Sequence, residues 1–154
     1  MRNWDKKYFE LAEYISTWSK DRSTKIGAII VKNNDVISTG FNGFPIGAND
    51  DVEERHQRPL KYSWTEHSER NAIYSAAKHG KSTNGCTIYV KWFPCADCAR
   101  AIIQSGIKTV LIDELNYLGN RGFYTRWEDS IKAADKMFEE AGIRIVMIKF
   151  TEKI

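Results

Sequence analysis

The feature that most constrains the fold is the alternation of helical and extended segments in the second half of the chain. Apolar residues recur at helical spacing in three stretches, which alternate with three short runs rich in β-branched residues. The helical stretches are 66–80, 94–106 and 128–142, and the extended runs are 86–92, 108–113 and 143–150. Where a helix crosses between two strands, those strands run parallel and the helix covers a face of the sheet. The alternation therefore predicts an α/β architecture.

The first half of the chain contributes one more helix and two more strands. Apolar residues in the stretch Trp4–Trp18 recur at helical spacing, which predicts an amphipathic helix. The apolar runs 25–31 and 36–41 flank Asn33 and Asn34, and asparagines at such a break are typical of a hairpin turn.

Together these elements predict one domain over residues 1–154, a length that suits a single hydrophobic core. We expect a three-layer α/β/α sandwich around a five-stranded mixed sheet. Two long segments show no clear periodicity and are expected to be irregular, at 43–64 and 116–127. The second leaves the carboxyl end of a strand, which is where ligands tend to bind in such sheets.

Charge and patterning exclude several classes of protein. The chain carries 23 Lys and Arg residues against 20 Asp and Glu residues, and a net charge of +3 is too small to indicate a nucleic-acid partner. The charged amino-terminal stretch lacks the apolar core of a signal peptide, and no run reaches transmembrane length. Three cysteines do not make a disulfide framework, so we expect a cytoplasmic protein with reduced thiols and no membrane partner.

Two of those cysteines, Cys95 and Cys98, are spaced to act together in "PCADC". At i and i+3 they lie on one face of a predicted helix, in the first turn, where free amides and the helix dipole favour thiolates. Among the three histidines we favour His67, which opens a predicted helix. His79 is better explained as a cap at a helix end, and His56 as a surface residue.

The set His67, Cys95 and Cys98 offers one nitrogen and two sulfurs, which suits zinc. A structural zinc site needs a fourth protein ligand, and Cys86 is better explained as a small core residue. Three ligands plus water is the catalytic pattern. A redox C-x-x-C pair is a further alternative, but Glu69 follows His67 by two residues and completes the H-x-E…P-C-x-x-C signature of zinc nucleobase deaminases.

Over nearly its whole length the chain resembles the deoxycytidylate (dCMP) deaminases of the cytidine deaminase superfamily. The resemblance rests on the two metal motifs together with "DRSTKIGAIIV", "GFNGFP", "EHSERNAIYSAAKHG" and "RWEDSIKAADKMFEEAGI". It departs from the usual family pattern at Ser68, where alanine is common. The chain also lacks spare cysteines for the second, structural zinc of some members, so we expect one zinc ion per chain.

The resemblance implies hydrolysis of dCMP to dUMP and ammonia, which supplies dUMP for thymidylate synthesis. Glu69 is the expected catalytic acid and base. The residues expected to contact the nucleotide, or to shape its pocket, are Asn42, Ser68, Arg22, Lys25 and Tyr124, with Arg121, Arg126, Tyr117, Phe123, Trp92 and Phe93 as further candidates. Asn42 is nearly as well explained as a turn residue, and the cations as surface charge.

Three further properties are implied by the resemblance alone. They are a homo-hexamer, regulation by dCTP and dTTP, and Mg²⁺ bound with the nucleotide effector. Two rival functions stay open at this point. One is deamination of another substrate, such as cytidine, deoxycytidine or a tRNA adenosine, and the other is a zinc-binding module without catalytic activity.

Overall fold

Five extended segments form one sheet in the computed structural model, which describes residues 3–150. The strands are β1 Gly27–Lys32, β2 Asp35–Phe41, β3 Thr87–Val90, β4 Thr109–Asp113 and β5 Arg144–Ile148. Their spatial order is β2-β1-β3-β4-β5. Strand β1 pairs antiparallel with β2 and with β3, whereas the pairs β3–β4 and β4–β5 are parallel. The predicted five-stranded mixed sheet is confirmed.

Helices cover both faces of this sheet. They are α1 Asn3–Ser16, α2 Lys61–Trp64, α3 Ser68–Lys78, α4 Ala96–Gln104, α5 Glu114–Leu118 and α6 Arg121–Glu140, with a short 3-10 helix at Glu53–His56. Helix α1 packs on one face, and α3, α4 and α6 pack on the other. This arrangement is the expected three-layer sandwich. None of the helices within residues 3–150 combines the length and the apolar character needed to cross a bilayer.

Neighbouring residues of a strand serve opposite faces of the sheet. In β1, Ile30 belongs to the core under α3, α4 and α6, while Ile29 belongs to the core under α1. In β3 the same division separates Ile88 from Tyr89. Because strand side chains alternate with a period of two, apolar residues at successive positions are what a sheet covered on both faces requires.

The hairpin between β1 and β2 turns at the two asparagines. Asn33 and Asn34 have φ angles of 51° and 68°. Two successive residues in the left-handed region characterise a two-residue hairpin turn whose twist matches the flanking strands, and asparagine tolerates that region well. The predicted hairpin is confirmed.

Gly40 of β2 sets how closely α3 approaches the sheet. A Cβ atom at this position would collide with the backbone oxygen of Ser68 and the backbone nitrogen of Ala72, both in α3. Ser38, on the same strand, donates a hydrogen bond to the Ala72 carbonyl at 2.8 Å. The first turn of α3, which follows His67 directly, therefore lies against β2.

The expectation of an irregular link over 116–127 was wrong. Helix α5 ends at Leu118, and α6 begins at Arg121, seven residues before the predicted start at Glu128. The Asn120 side chain caps α6 by accepting a hydrogen bond from the Phe123 amide at 3.0 Å. The aromatic residues of this segment continue the apolar stripe of α6 instead of forming a loop.

Helix α4 begins slightly later than the sequence predicts. Pro94 precedes it, Cys95 is its N-cap residue, and Ala96 is its first helical residue. This shift of two residues keeps Cys98 in the first turn. The segment 43–64 is irregular as expected, apart from the 3-10 helix and the single turn of α2.

Candidate active site

The structure brings His67, Cys95 and Cys98 together, although 28 residues separate the histidine from the first cysteine. His67 and Cys95 are the N-cap residues of α3 and α4, and Cys98 lies in the first turn of α4. The His67 Nδ1 atom is 3.6 Å from Cys95 Sγ and 3.5 Å from Cys98 Sγ. Both cysteines are buried and free of disulfide bonds.

These distances fit a single zinc ion. Zinc binds thiolate sulfur at about 2.3 Å and histidine nitrogen at about 2.0–2.1 Å, so tetrahedral geometry places the two ligand atoms about 3.6 Å apart. The three ligand atoms lie within 4.8 Å of one another. Within residues 3–150 no other group of three or more His, Cys, Asp or Glu side chains meets this condition. A fourth position remains for a non-protein ligand.

The beginning of α4 stabilises negative charge at this point. Hydrogen bonds from the Cys98 thiol and from His67 lower the pKa of Cys95 to about 4, despite an opposing effect of burial. The Ala96 amide lies at the start of α4, where it has no acceptor within the helix. It donates a hydrogen bond to the Ser130 hydroxyl of α6 at 2.8 Å. Helix α6 thus docks directly onto the turn that carries both cysteines.

Glu69 lies in the first turn of α3 and is 8% exposed. The neighbouring Ser68 hydroxyl donates a hydrogen bond to Glu69 Oε2 at 3.1 Å. Both residues line the same cavity as His67 and Cys95. A carboxylate in this position can exchange protons with a molecule bound in the cavity.

The cavity contains His67 and Cys95 in its wall and is formed by four parts of the chain. They are the segment before β1 with the end of β2, the segment 58–69, the loop between β3 and α4, and the start of α6. Its lining residues are Asp21, Thr24, Ile26, Asn42, Arg58, Lys61, Tyr62, Thr65, His67, Ser68, Glu69, Trp92, Phe93, Cys95, Phe123, Arg126 and Trp127.

Asn42, expected to contact the nucleotide, lies in the cavity wall and is 6% exposed. Its Oδ1 atom accepts a hydrogen bond from the Ile26 amide, and its Nδ2 atom donates one to the Thr24 carbonyl, each at 2.8 Å. The amide therefore fixes the backbone before β1. It keeps one N–H and one oxygen lone pair for a ligand, so the structural and the binding roles are compatible.

The cationic side chains that line the cavity are not the two that the sequence analysis favoured, Arg22 and Lys25. Arg58, Lys61 and Arg126 line it, whereas Arg22 and Lys25 do not. Arg22 instead pairs with Glu53 at 3.2 Å on the outer surface, and its side chain is 54% exposed. Arg58 and Lys61 were missed because they lie in an irregular segment without periodicity, while Arg126 was a secondary candidate.

The turn before β1 explains why the two expected cations point away. Asp21 Oδ1 accepts hydrogen bonds from the amides of Ser23 and Thr24, at 2.9 and 2.8 Å. This side chain-to-backbone turn directs Asp21 and Thr24 toward the cavity and leaves Arg22 and Lys25 exposed.

Five aromatic residues line the cavity: Tyr62, Trp92, Phe93, Phe123 and Trp127. The Trp127 ring meets the His67 ring edge to face, with centroids 5.7 Å apart. Tyr124, expected to contact the nucleotide, lies outside the cavity and packs on Tyr117 with ring centroids 4.3 Å apart. The reason is helical phase, since α6 places Phe123 and Trp127 in the cavity wall and directs Tyr124 onto Tyr117.

The other histidines and the third cysteine lie away from this site. His79 caps α3, with its Nδ1 atom 2.8 Å from the Ser75 carbonyl, as expected. Cys86 is 1% exposed in the core, also as expected. His56 is half-buried, not at the surface, because its ring stacks on Phe44 at 4.7 Å and Nε2 bonds to the Asp50 carbonyl at 2.6 Å.

Sequence comparison identifies this combination of motifs in known proteins. The model of the cytidine and deoxycytidylate deaminase zinc-binding region matches residues 2–114. An Aliivibrio fischeri protein, described as an uncharacterized deaminase in the luxG 3' region, is 40% identical over 145 residues, which are 94% of this chain and 93% of the relative. Human deoxycytidylate deaminase is 35% identical over 144 residues, which are 89% of this chain and 75% of the human protein.

Comparison with solved structures agrees with the sequence comparison. The crystal structure of dCMP deaminase from the cyanophage S-TIM5, in complex with dCMP and dUMP, superposes with a TM-score of 0.72 at 27% identity. The match covers 96% of this chain and 99% of the phage chain. The chain therefore has the fold of this phage dCMP deaminase over nearly its whole length.

Proposed function

The chain belongs to the cytidine and deoxycytidylate deaminase family, and from this premise we propose that it hydrolyses dCMP to dUMP and ammonia. One observation carries the proposal. The cavity joins a zinc-compatible His67, Cys95 and Cys98 cluster and the Glu69 carboxylate to arginines at Arg58 and Arg126. It therefore combines the chemistry for attack on a base with cations for a phosphate.

His67, Cys95 and Cys98 would hold one zinc ion per chain. When bound, zinc would lower the pKa of a coordinated water to about 7, which would make hydroxide available at neutral pH. Glu69 would take one proton from the attacking water and pass it to N3 of the cytosine ring while the water oxygen bonds to C4. Glu69 would then take the proton of the new C4 hydroxyl and pass it to the amino group. The C4–N bond breaks and ammonia leaves, and the oxygen remains on C4 as the carbonyl of dUMP. One carboxylate thus acts as base and then as acid.

The remaining walls of the cavity bind and orient the nucleotide. The aromatic residues Trp92, Phe123 and Trp127 offer apolar surfaces to the base and exclude water from it. Asn42 has one N–H free for the sugar. Arg58 and Arg126 supply charge-assisted hydrogen bonds for a 5′-phosphate. Lys61 contributes positive charge but holds other partners already, since its ammonium bonds to Asp21 and Ser23.

Several finer properties belong to the same proposal. The family resemblance supports a homo-hexamer, dCTP and dTTP as effectors, Mg²⁺ bound with the effector, and a role in supplying dUMP for thymidylate synthesis. Two hydrophobic clusters on a shared sheet support a single deaminase domain over residues 1–154. The need for reduced Cys95 and Cys98 agrees with the expected cytoplasmic location.

The purified, zinc-loaded protein should be incubated with dCMP while the loss of cytosine absorbance and the release of ammonia are followed. Deoxycytidine and a tRNA serve as competing substrates. Parallel reactions with dCTP or dTTP, each with and without Mg²⁺, test regulation, and light scattering of the same sample tests the hexamer.

Turnover of dCMP well above that of deoxycytidine supports the proposal. Faster turnover of deoxycytidine or of the tRNA would replace dCMP with that substrate and leave the deaminase chemistry in place. A zinc-loaded protein that converts none of these molecules would overturn the enzymatic proposal and favour a binding module.

A further inference from the structure

The Arg70 side chain reaches the sulfur of a proposed zinc ligand. Arg70 lies on α3, and its Nη1 atom donates a hydrogen bond to Cys98 Sγ of α4 at 3.5 Å. Only 16% of the side chain is exposed, so little water competes for this contact. A cation that hydrogen-bonds a thiolate stabilises its negative charge and fixes its direction.

Glu66 holds the guanidinium in that position. The Oε1 atom of Glu66 accepts hydrogen bonds from Arg70 Nε and Nη2, which makes a two-pronged ion pair. The same Oε1 atom accepts a hydrogen bond from the His67 backbone amide at 2.9 Å. One carboxylate oxygen thus supports His67 directly and Cys98 through Arg70.

The backbone of Glu66 is fixed as well. Glu66 and Gly43 form an isolated antiparallel bridge, with N···O distances of 2.8 and 3.1 Å in the two directions. The backbone that carries the Glu66 side chain is therefore held in place beside the end of β2. A side chain held at its base and at its tip loses little further freedom when it orients a partner.

We propose that the Glu66–Arg70 pair is the outer support of the zinc site, which orients His67 and Cys98 and withdraws electron density from the Cys98 sulfur. Two thiolates neutralise the charge of Zn²⁺, so a hydrogen bond from Arg70 leaves the metal more electrophilic. Both are positioning residues, since neither lines the substrate cavity. The inference rests on the proposed zinc ligands but not on the identity of the substrate.

The test measures the metal site itself. Zinc dissociation constants by chelator competition, and the sulfur-to-metal charge-transfer band of the cobalt(II) form, are compared for wild type, Arg70→Met and Glu66→Gln. Arg100→Met is the matched control, because it removes an arginine two residues after Cys98 whose hydrogen bond goes to the exposed Asp97. Circular dichroism verifies that each variant is folded.

Arg70→Met and Glu66→Gln should weaken zinc binding by about 10–100-fold, the usual effect of losing an outer partner of a ligand. Arg70→Met should also move the cobalt band to longer wavelength, because the sulfur becomes more electron-rich. Arg100→Met should leave the zinc dissociation constant within about twofold of wild type and the cobalt band at its wild-type wavelength. If Arg70→Met does not fold, Arg70→Lys carries the test, since lysine cannot bridge Glu66 and Cys98 as the guanidinium does.

Zinc affinity and a cobalt band that stay at wild-type values in both folded variants would overturn the inference. That outcome would not contradict the proposed hydrolysis of dCMP. A wild-type protein that fails to bind zinc would instead refute the metal site, and the proposed function with it. The two failures are therefore distinguishable in one set of titrations.

Discussion

The buried Lys61 ammonium lies 2.9 Å from the Asp21 carboxylate, across 40 residues of sequence. Lys61 Nζ also donates to the Ser23 hydroxyl at 2.8 Å. The side chains of Lys61 and Asp21 are 9% and 5% exposed. Because Lys61 begins α2 and Asp21 belongs to the turn before β1, this pair holds two walls of the cavity together.

Replacing one partner of this pair should destabilise the fold. Lys61→Met leaves the Asp21 carboxylate buried without its cation, and breaking a buried pair in this way costs about 3–5 kcal/mol. The free energy of unfolding, from urea denaturation at pH 7, measures the loss. The matched control is Lys132→Met, whose exposed pair with Glu128 should contribute much less, because water and salt screen it. Equal effects of the two substitutions would contradict a structural role for Lys61.

The same pair predicts a dependence on acid pH. Burial raises the pKa of Asp21, but hydrogen bonds from Lys61 and from the amides of Thr24 and Ser23 outweigh it, so the pKa lies below its usual value. A carboxyl whose pKa is lowered by folding stabilises the protein above its unfolded pKa of about 3.9, and this contribution is lost as pH falls through the folded pKa.

Urea denaturation at a series of pH values between 6 and 2 tests this dependence. The difference in unfolding free energy between wild type and Asp21→Asn should be constant above about pH 5 and shrink below about pH 4. Acid release of zinc affects both proteins and cancels in the difference. A difference that grows as the pH falls would show that the pKa of Asp21 is raised by folding.

Glu69→Gln should abolish most of the turnover and keep the metal. Glutamine preserves the shape of the side chain but cannot exchange protons, so kcat should fall by about 10²–10⁴. Zinc content by elemental analysis should remain that of wild type, because the carboxylate is outside the proposed ligand set. Near-normal turnover in a zinc-loaded Glu69→Gln variant would refute the proton-transfer role.

The contribution of Arg58 and Arg126 to phosphate binding should appear in the KM for dCMP. Loss of a charge-assisted hydrogen bond to phosphate costs about 1.5–3 kcal/mol, so Arg58→Met and Arg126→Met should each raise the KM for dCMP by about 10–150-fold. Neither should change the weak turnover of deoxycytidine by a similar factor, because that substrate has no phosphate.

Arg22→Met decides between the two possible phosphate sites. If the cavity arginines bind the phosphate, this substitution should change the KM for dCMP by less than about twofold. A larger increase from Arg22→Met than from Arg58→Met would support the expectation drawn from the sequence and place the phosphate near Glu53, the partner of Arg22.

Local spacing made the sheet and the metal cluster predictable. Cys95 and Cys98 are three residues apart at the start of one helix, and His67 lies at the start of another. Both placements are properties of short segments, and periodicity shows which segments are helical. The cavity wall was harder to predict, because Lys61 acquires its role only from Asp21, far away in sequence. No local pattern marks such a pair.

The misjudged segment 116–127 had a different cause. Its aromatic residues occur at helical spacing with those that follow, but Gly119 and Gly122 interrupt the pattern and favour a loop by propensity. Packing of Phe123 and Trp127 against the body of the protein, together with the Asn120 cap, outweighs that propensity. Tertiary contact therefore decided that this segment is helical, and the phase of that helix then keeps Tyr124 out of the cavity.

His67 and Cys95 each occupy the point where the chain enters a helix, α3 in one case and α4 in the other. A metal bound there joins the two helix starts, so ligation and folding become linked equilibria. Above its dissociation constant, each tenfold rise in free zinc then adds about 1.4 kcal/mol to the free energy of unfolding. The melting temperature of this protein should consequently report the metal supply around it, and a chelator should act on it as a mild denaturant.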